Sequence, residues 1–346
     1  MSKMLEEIRE QPRALERTLD SELSGVEALR ARLSQARPKL IVLAARGTSD
    51  NAATFGRYLL EITTGIPVSL AAPSVVTLYD ARIHYRDALV VAISQSGEST
   101  DTNAFLQRAR EEGVVTVGVT NEEGSTLARL AEHVLLVRAG KEKSVAATKT
   151  YTGQLLAMYL LAYALEADID VDQLRRMPSY VETALSLEPR IATVSERYTF
   201  MDHAIVVARG LNYSNAFEFA LKMMETCYVV AERFSSADLL HGPIAMVEHA
   251  FPSFTFAPAG VTWPGLHETL AKLQHLSRET LVITDKSNRE AAEFGRKAIC
   301  LPVEIPELYT PIPYIVPAQL FAAHLAEQKG LDPDKPRTLS KVTKTL

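Results

Sequence analysis

The chain repeats itself at an offset of about 164 residues, and this repeat limits the folds it can adopt more than any other feature. Arg46, in an Ala-Arg-Gly turn after an apolar run, aligns with Arg209 in a second Ala-Arg-Gly turn. Three blocks recur in the same order, residues 39–60 with 203–224, 114–137 with 279–303, and 153–165 with 318–330. The repeat predicts two copies of one domain, joined by a helical segment around residues 168–188.

Each copy alternates short apolar runs with helical periodicity. In the first copy the runs are LIVLAA, ALVVAIS, VVTVGV and HVLLVR. Apolar runs without strict alternation are typical of strands buried on both faces, as in a parallel sheet. We therefore predict an α/β fold with two tandem domains, each a three-layer αβα sandwich around a flavodoxin-like parallel sheet. The predicted domains are residues 1–182 and 183–346.

Composition excludes several classes of partner. The formal net charge is −5 and the chain has no basic block, so we expect neither nucleic acid nor an anionic membrane as a partner. The N-terminus lacks the apolar core of a signal peptide, and the run LLAMYLLAYAL (155–165) is too short to span a bilayer, so it predicts a buried helix. Cys227 and Cys300 have no CxxC partner and are typical of core thiols in a reducing compartment. We expect a cytoplasmic protein without a metal or cofactor.

The serine-rich loop, SQSGEST at residues 94–100, follows one apolar run and precedes a predicted helix at 100–113. Such residues are common in turns and at helix caps, which is one interpretation. The other is an anion site, because unpaired N–H groups and the dipole of a helix N-terminus attract negative charge. Ligands of doubly wound sheets bind beyond the carboxyl ends of the strands. The serine-rich loop and ARGTSDN (45–51) both fall at such ends, which favours the anion site.

The motifs that the sequence lacks limit the classes of ligand that this loop can bind. There is no GxxxxGK[ST] and no GxGxxG after a strand, and no acidic cluster for Mg²⁺. Neutral hydroxyls and amides without a metal fit a small phosphate monoester. The predicted phosphate ligands are Ser94, Gln95, Ser96 and Ser99, with Thr100 capping the following helix. In the second copy the matching stretch, EHAFPSFTFAPAG (248–260), has lost this chemistry.

The second copy carries ionisable groups on one helix face. Glu218, Lys222 and Glu225 stand at i, i+4 and i+7 within NAFEFALKMMETCY (215–228). A solvated charged stripe is the common explanation for such spacing. The other positions of this helix are almost all apolar, which indicates that the helix is buried and that its charges face one another or a cleft. A buried carboxylate beside a lysine is a candidate base.

Two further signals are individually weak. DLLHGPIAM (238–246) places His241 before a rigid Gly-Pro turn, although a lone histidine is usually structural. The end of the sequence, RTLSKVTKTL (337–346), has the composition of a frayed terminus, but it follows a strongly apolar helix that would anchor it.

Taken together, these motifs resemble the sugar isomerase (SIS) family, in particular the isomerase half of glucosamine-6-phosphate synthases and their free-standing relatives. The resemblance rests on ARGTSDNA, SQSGEST, VAATKTYTGQL, ALKMMET, LLHGP and LSKVTKTL and covers nearly the whole chain. It implies a homodimer with each active site near the subunit interface. It also implies a sugar-phosphate substrate.

The resemblance also implies roles for individual residues. It assigns the sugar phosphate to Ser94, Gln95, Ser96, Ser99, Thr48 and Ser49, with Ala147 at a position where the synthases carry serine. It makes Glu225 the base that moves a proton between C1 and C2, and places Lys222 near the oxygens of the enediol-like intermediate. It gives His241, reaching across from the neighbouring subunit, the ring-opening step. It closes Lys341 over the substrate.

The expected reaction is deamination of glucosamine 6-phosphate to fructose 6-phosphate and ammonia. The sequence starts where the glutaminase of the synthases would end. Ala147 and the SKVTKT ending also depart from the synthase pattern. We therefore expect no glutamine-dependent synthesis. A dehydratase or lyase acting on N-acetylglucosamine 6-phosphate is an alternative. A non-catalytic sugar-phosphate regulator is another, disfavoured because no helix-turn-helix segment is found and because Glu225, His241 and Lys341 are present.

Overall fold

The computed structural model describes residues 2–341, which form two compact units. The first unit consists of residues 13–142, 149–175 and 339–341. The second unit consists of residues 2–12, 143–148 and 176–338. The domain boundary between residues 182 and 183 stays a prediction.

Strands and helices alternate along the chain. The strands are β1 (Leu40–Ala44), β2 (Val68–Leu70), β3 (Ala88–Ile93), β4 (Val115–Thr120), β5 (His133–Leu136), β6 (His203–Ala208), β7 (Val230–Ser235), β8 (Ser253–Phe256), β9 (Thr280–Asp285) and β10 (Lys297–Leu301). The helices are α1 (Lys3–Arg9), α2 (Gln11–Gln35), α3 (Thr48–Thr64), α4 (Pro73–Thr77), α5 (Thr100–Glu111), α6 (Thr126–Leu130), α7 (Lys149–Ala164), α8 (Val171–Leu185), α9 (Glu188–Glu196), α10 (Tyr213–Lys222), α11 (Ser236–Leu240), α12 (Trp263–Leu276), α13 (Arg289–Phe294) and α14 (Pro311–Gln328).

The two sheets have the same topology, which confirms the predicted fold class. Each is parallel and five-stranded, with order β2-β1-β3-β4-β5 in the first unit and β7-β6-β8-β9-β10 in the second. This is the flavodoxin-like order. The register repeats as well. Ile41 pairs with Leu89 in the first sheet, and the residues 164 positions later, Ile205 and Ser253, pair with each other in the second. The edge strand β2 was not predicted, since three residues are too few to carry a periodic pattern.

Apolar side chains cover both faces of the first sheet. On one face Phe105 of α5 lies edge-on to Tyr85, with ring centroids 5.6 Å apart. On the other face Phe55 of α3 contacts Tyr159 of α7 at 5.2 Å. The run 155–165, predicted as a buried helix, lies mostly within α7 and is largely buried. Across residues 2–341 no helix is both long and apolar enough to cross a membrane.

An aromatic cluster forms much of the second unit's core and fixes α10. Phe219 of α10 lies 5.2 Å from Phe254 of β8 and 5.7 Å from Phe321 of α14. The ring of Tyr198, just after α9, contacts the same two phenylalanines in tilted and edge-on arrangements. Aromatic pairs of this kind stabilise a core beyond the area they bury. These contacts fix the rotation of α10 about its own axis and therefore determine on which side its charged residues lie.

Candidate active site

The first unit brings its two polar loops together at the switch point of the sheet. β1 and β3 are neighbours whose connections leave in opposite directions, and ligands bind in the crevice beyond the carboxyl ends of such strands. Arg46, directly after β1, donates hydrogen bonds of 2.8 and 3.2 Å to the buried carboxylate of Asp101 in the first turn of α5. This ion pair, which the sequence did not predict, ties the ARGTSDN turn to the helix that follows the serine-rich loop.

Gly97 gives the serine-rich loop its shape. Its φ is +66°, a conformation that L side chains rarely adopt, and a Cβ at this position would overlap Ser125. Its N–H donates to Ser94 Oγ at 3.1 Å, and its carbonyl accepts from Leu127 N and Asn103 Nδ2, both at 3.0 Å. The loop is therefore held from three sides and has little freedom to rearrange.

The N-terminus of α5 points out of this loop. The N-cap is Ser99, so the prediction that Thr100 caps the helix is wrong by one residue, since Thr100 already has helical geometry. Within the described residues the Ser99 side chain makes no capping bond; its Oγ lies 3.0 Å from Thr102 Oγ1. The first-turn N–H groups of α5 are thus left without a side-chain cap from Ser99, which favours an anion at this end of the helix.

Glu98 is an acidic residue inside a loop proposed to bind an anion, and its contacts explain why it is tolerated. Its carboxylate accepts hydrogen bonds from Thr126 N and Thr126 Oγ1, both at 2.8 Å, at the start of α6. The bond from the Thr126 backbone, then that from its hydroxyl, lowers the pKa of Glu98. The charge is therefore directed to the N-terminus of α6 instead of toward the end of α5.

A cleft of about 730 Å³ opens beside the serine-rich loop in the first unit. Its wall is formed by Gln95, Ser96, Glu98, Asn121, Glu122, Gly124, Ser125, Gly140, Lys141, Glu142 and Lys341. Gln95, Ser96 and Lys341 are thus brought to one cleft. This volume is large enough for a phosphorylated hexose, since small-molecule sites commonly measure about 300–1,000 Å³.

The other predicted phosphate ligands are placed differently. Ser94 is buried under the loop, where its Oγ accepts from Gly97 N. Ser49 is also buried, and its Oγ accepts from Gln154 Nε2 at 3.0 Å. Thr48 is half-buried at the start of α3. Ala147 is half-buried within the segment 143–148, which belongs to the second unit.

The second unit contains a buried three-member charge cluster. The ammonium of Lys222, which is fully buried, lies 3.3 Å from a Glu218 carboxylate oxygen and 2.5 Å from Glu225 Oε2. Glu218 is also fully buried, whereas the Glu225 side chain is 23% exposed. The prediction that these charges face one another is confirmed. Glu225 is the member of the cluster that a bound molecule can reach.

Burial alone would lower the pKa of Lys222, because a desolvated ammonium is unfavourable. The attraction of Glu218, and then that of Glu225, more than offsets this effect, so the pKa of Lys222 is raised well above its ordinary value. The lysine is therefore a permanent cation at any physiological pH. It places a fixed positive charge beside the accessible carboxylate.

Glu225 lies in a π-helical turn that the sequence did not indicate. The predicted single helix over 215–228 is α10 followed by a π-turn, Met223–Cys227, and it ends at Tyr228 with φ +56°. Such turns insert a residue into a helix and occur frequently at functional sites. A one-residue insertion leaves the apolar pattern nearly intact, so periodicity cannot detect it.

His241 and Glu225 lie at opposite ends of β7. The residues that follow the π-turn enter the amino end of β7, where Val230 N donates to Asp202 O, just before β6. His241 follows the carboxyl end of β7, immediately after α11, and is exposed. Six residues of strand span about 20 Å. One copy of the second unit therefore does not bring this histidine and this carboxylate together.

In the second unit, the carboxylate of Glu307 lies at the N-terminus of α12, the position that corresponds to the proposed anion site at the N-terminus of α5. Glu307 accepts hydrogen bonds from Val261 N at 2.6 Å and Thr262 N at 3.3 Å, and also from Thr262 Oγ1, just before α12. This loop follows β8, the counterpart of β3. The loss of phosphate chemistry in residues 248–260 stays a prediction. The sequence did not reveal the contact with Glu307, since this residue lies far along the chain.

Arg337 and Lys341 anchor the described part of the tail. The Arg337 guanidinium lies over the Tyr228 ring at 3.8 Å, and Arg337 N donates to Tyr228 Oη at 2.9 Å. In the first unit, Lys341 Nζ donates to Glu142 Oε2 at 2.8 Å. Residues 342–346 of the SKVTKTL motif lie outside the described residues. Glu142 was missed because KEK at 141–143 has the pattern of an exposed charged turn.

Comparison with known proteins agrees with this architecture. The SIS domain matches residues 33–164 and again 198–327. A glutamine–fructose-6-phosphate aminotransferase (isomerizing) from Pyrococcus horikoshii is 36% identical over 98% of the chain, which spans 57% of that relative's length. The C-terminal domain of glucosamine-fructose-6-phosphate aminotransferase from Francisella tularensis superposes with a TM-score of 0.88 at 28% identity, covering 97% of this chain and 98% of that one.

A glucosamine-6-phosphate deaminase from Thermotoga maritima has the same fold, with a TM-score of 0.77 at 21% identity over 99% of this chain and 100% of that one. The chain belongs to the SIS-domain family, with two SIS domains in tandem. Within that family it is a relative of the isomerase region of glutamine–fructose-6-phosphate aminotransferases, and it spans a little under three fifths of the length of the curated relatives that it matches.

Proposed function

We propose that this protein is an amino-sugar-phosphate isomerase that converts glucosamine 6-phosphate to fructose 6-phosphate and ammonia. The observation that carries the proposal is the cluster of Lys222, Glu218 and Glu225, because it offers one accessible carboxylate beside a permanent buried cation. Aldose–ketose isomerisation needs such a pair, namely a base for the proton and a positive charge near the developing oxyanion.

The proposed steps balance in protons. His241 transfers the proton that opens the sugar ring, since an imidazole has one nitrogen that donates a proton and one that accepts it. Glu225 removes the proton from C2 of the open-chain amino sugar while the aldehyde oxygen at C1 takes up a proton, which leaves an enediol-like intermediate. Glu225 then returns its proton to C1, and the C2 amine gives up one N–H proton. The product is a ketimine at C2. Water adds to the C=N bond and ammonia leaves, which gives fructose 6-phosphate.

Phosphate binding is proposed for the serine-rich loop and the N-terminus of α5. The phosphate does not react, so its binding energy serves to position C1 and C2. The side chains proposed to contact the substrate are Gln95, Ser96 and Lys341, which all line the cleft. Ser94, Ser99, Thr48, Ser49 and Ala147 are retained as proposed contributors to this binding region.

We further propose that the active protein is a homodimer in which His241 comes from the neighbouring subunit. The separation of His241 and Glu225 across β7 supports this arrangement. Co-expression of E225Q chains with H241N chains tests it. Random pairing gives half mixed dimers with one intact site each, so about a quarter of wild-type activity is expected from two inactive parents. Complete inactivity of the mixture, with mixed dimers demonstrated by mass spectrometry, would contradict a shared site.

The reaction itself is tested by supplying separate substrates to the purified protein. Glucosamine 6-phosphate is followed for ammonia and fructose 6-phosphate, and N-acetylglucosamine 6-phosphate is followed for an ultraviolet-absorbing unsaturated product. Fructose 6-phosphate with ammonium, and with glutamine, measures the opposite direction. Ammonia release from the first substrate supports the proposal. Turnover of the N-acetylated sugar alone would identify a dehydratase, and binding without turnover of any substrate would identify a regulator.

A further inference from the structure

Glu142 is a fully buried carboxylate in the wall of the cleft. It accepts hydrogen bonds from Thr150 N at 3.2 Å and Thr150 Oγ1 at 2.8 Å, in the first turn of α7. The N-terminus of a helix is a favourable environment for a negative charge, which explains how the chain can bury this carboxylate. These contacts fix the orientation of the Glu142 side chain independently of the tail.

The second set of contacts comes from Lys341. Its ammonium donates to Glu142 Oε2 at 2.8 Å, and its side chain is only 24% exposed. The preceding residues 337–340 are exposed. The lysine is therefore drawn against the cleft wall by a charge-assisted hydrogen bond to a carboxylate that is already oriented.

Other acidic side chains on the same wall are directed elsewhere. Glu98 accepts from Thr126 at the start of α6, and Glu122 accepts from Asn121 Nδ2 at 3.0 Å. An unneutralised Glu142 would repel a phosphate dianion bound near Gln95 and Ser96, because charges in a partly desolvated cleft interact strongly. The Lys341 ammonium, 2.8 Å from Glu142 Oε2, offsets that charge.

We propose that Glu142 is a positioning residue, which fixes the Lys341 ammonium at the wall of the cleft where the oxygens of a phosphorylated sugar would bind. The inference deepens the proposed function and rests on it for the identity of the substrate. Glu142 acts through Lys341 and does not itself take part in proton transfer.

The E142Q variant keeps one of the two oxygens that accept from Thr150 and removes the charge. We expect the KM for glucosamine 6-phosphate to rise about ten- to a hundredfold, which corresponds to the loss of one charge-assisted hydrogen bond. A matched control is E22Q. Glu22 is a nearly buried carboxylate of the same unit that accepts from Leu136 N at 3.1 Å and from Arg138 Nε at 2.5 Å, and it is not part of the cleft wall in the described residues. E22Q is expected to lower the Tm and leave KM unchanged.

A double-mutant cycle distinguishes positioning from a general structural role. If Glu142 acts through Lys341, then E142Q/K341Q has the same KM as K341Q alone. Independent, additive effects of the two substitutions would overturn the proposal. E142D keeps the charge and is expected to restore part of the affinity; it also serves as the second variant should E142Q fail to fold.

Amine acetylation followed by mass spectrometry supplies a readout that does not depend on turnover. Lys341 is expected to react slowly in the wild type relative to Lys39, whose side chain is 80% exposed, and at least several times faster in E142Q but not in E22Q. Faster labelling in E142Q supports the positioning role even if no sugar phosphate is turned over, in which case the proposed function alone is wrong. Unchanged labelling in E142Q, with active wild-type protein, overturns the positioning role and leaves the proposed function intact.

Discussion

Replacing Gly97 with alanine tests whether the shape of the serine-rich loop is required for phosphate binding. The residue has φ +66°, where a side chain destabilises the backbone by about 1–2 kcal/mol. A Cβ would also overlap the Ser125 side chain and lie 3.0 Å from Thr120 Oγ1. Ser125 cannot move freely, because its Oγ caps α6 by accepting from Ala128 N. The substitution therefore carries both a backbone and a steric penalty.

Gly65 provides the matched control, since its φ is +69° and a Cβ there would meet no described atom within 4 Å. We expect G65A to lower the free energy of unfolding by about 1 kcal/mol and to leave phosphate binding unchanged. We expect G97A to lower the free energy of unfolding by about 2–4 kcal/mol. If the loop moves to relieve the overlap instead, sugar-phosphate binding should weaken about tenfold or more.

The two variants are compared by urea unfolding and by calorimetric titration with glucosamine 6-phosphate and with inorganic phosphate. S125G should relieve most of the overlap, so G97A/S125G should bind more tightly than G97A. The reasoning is refuted if G97A matches G65A in both stability and binding.

Three further predictions concern the second unit. K222M should abolish turnover and destabilise the protein by about 3–5 kcal/mol in urea unfolding, because it leaves the buried Glu218 carboxylate without its ammonium; retained activity would contradict the proposed chemistry. E307A should destabilise the protein by about 1–2 kcal/mol through loss of the contacts before α12, whereas E268A, in an exposed ion pair, should leave stability nearly unchanged; equal effects would contradict this. Burial tends to raise the pKa of Glu188, but Arg9 and then His324 outweigh it and the pKa is lowered. The Glu188 carboxylate therefore stabilises the folded protein above the pKa of an unfolded glutamate, about 4.3, and this stabilisation is lost as the pH falls. The difference in the free energy of unfolding between wild type and E188Q should shrink from pH 6 to pH 3; a constant difference would contradict the assigned ion pair.

The sequence was sufficient to predict the architecture because the same information occurs twice. A strand, an Ala-Arg-Gly turn and an apolar helix recur with a nearly constant offset, and the two sheets have the same strand order. Burial on both sheet faces produces long apolar runs, and these identified most strands of the first unit. The short edge strand β2 lacked such a run.

The site was predictable where chemistry and local pattern coincide. Charged positions on an otherwise apolar helix indicated that Lys222 and Glu225 would face one another, and their charged groups lie 2.5 Å apart. The π-turn was not predictable, because one inserted residue barely changes the periodicity.

Contacts between residues far apart in sequence were also missed. Glu142 pairs with Lys341 across 199 positions, and Glu307 with Val261 across 46. Only the fold determines such pairs, since each residue by itself has the pattern of an exposed charge.

The central claim is that Glu225 moves a proton at C2 of a phosphorylated amino sugar. Proton NMR of glucosamine 6-phosphate in deuterated water, with wild-type protein and with E225Q, tests it most directly. The account predicts that the C2 proton signal is lost with wild-type protein and persists with E225Q, while calorimetry shows that E225Q still binds the sugar phosphate. Persistence of the C2 signal with wild-type protein, or its equal loss with E225Q, would contradict the account.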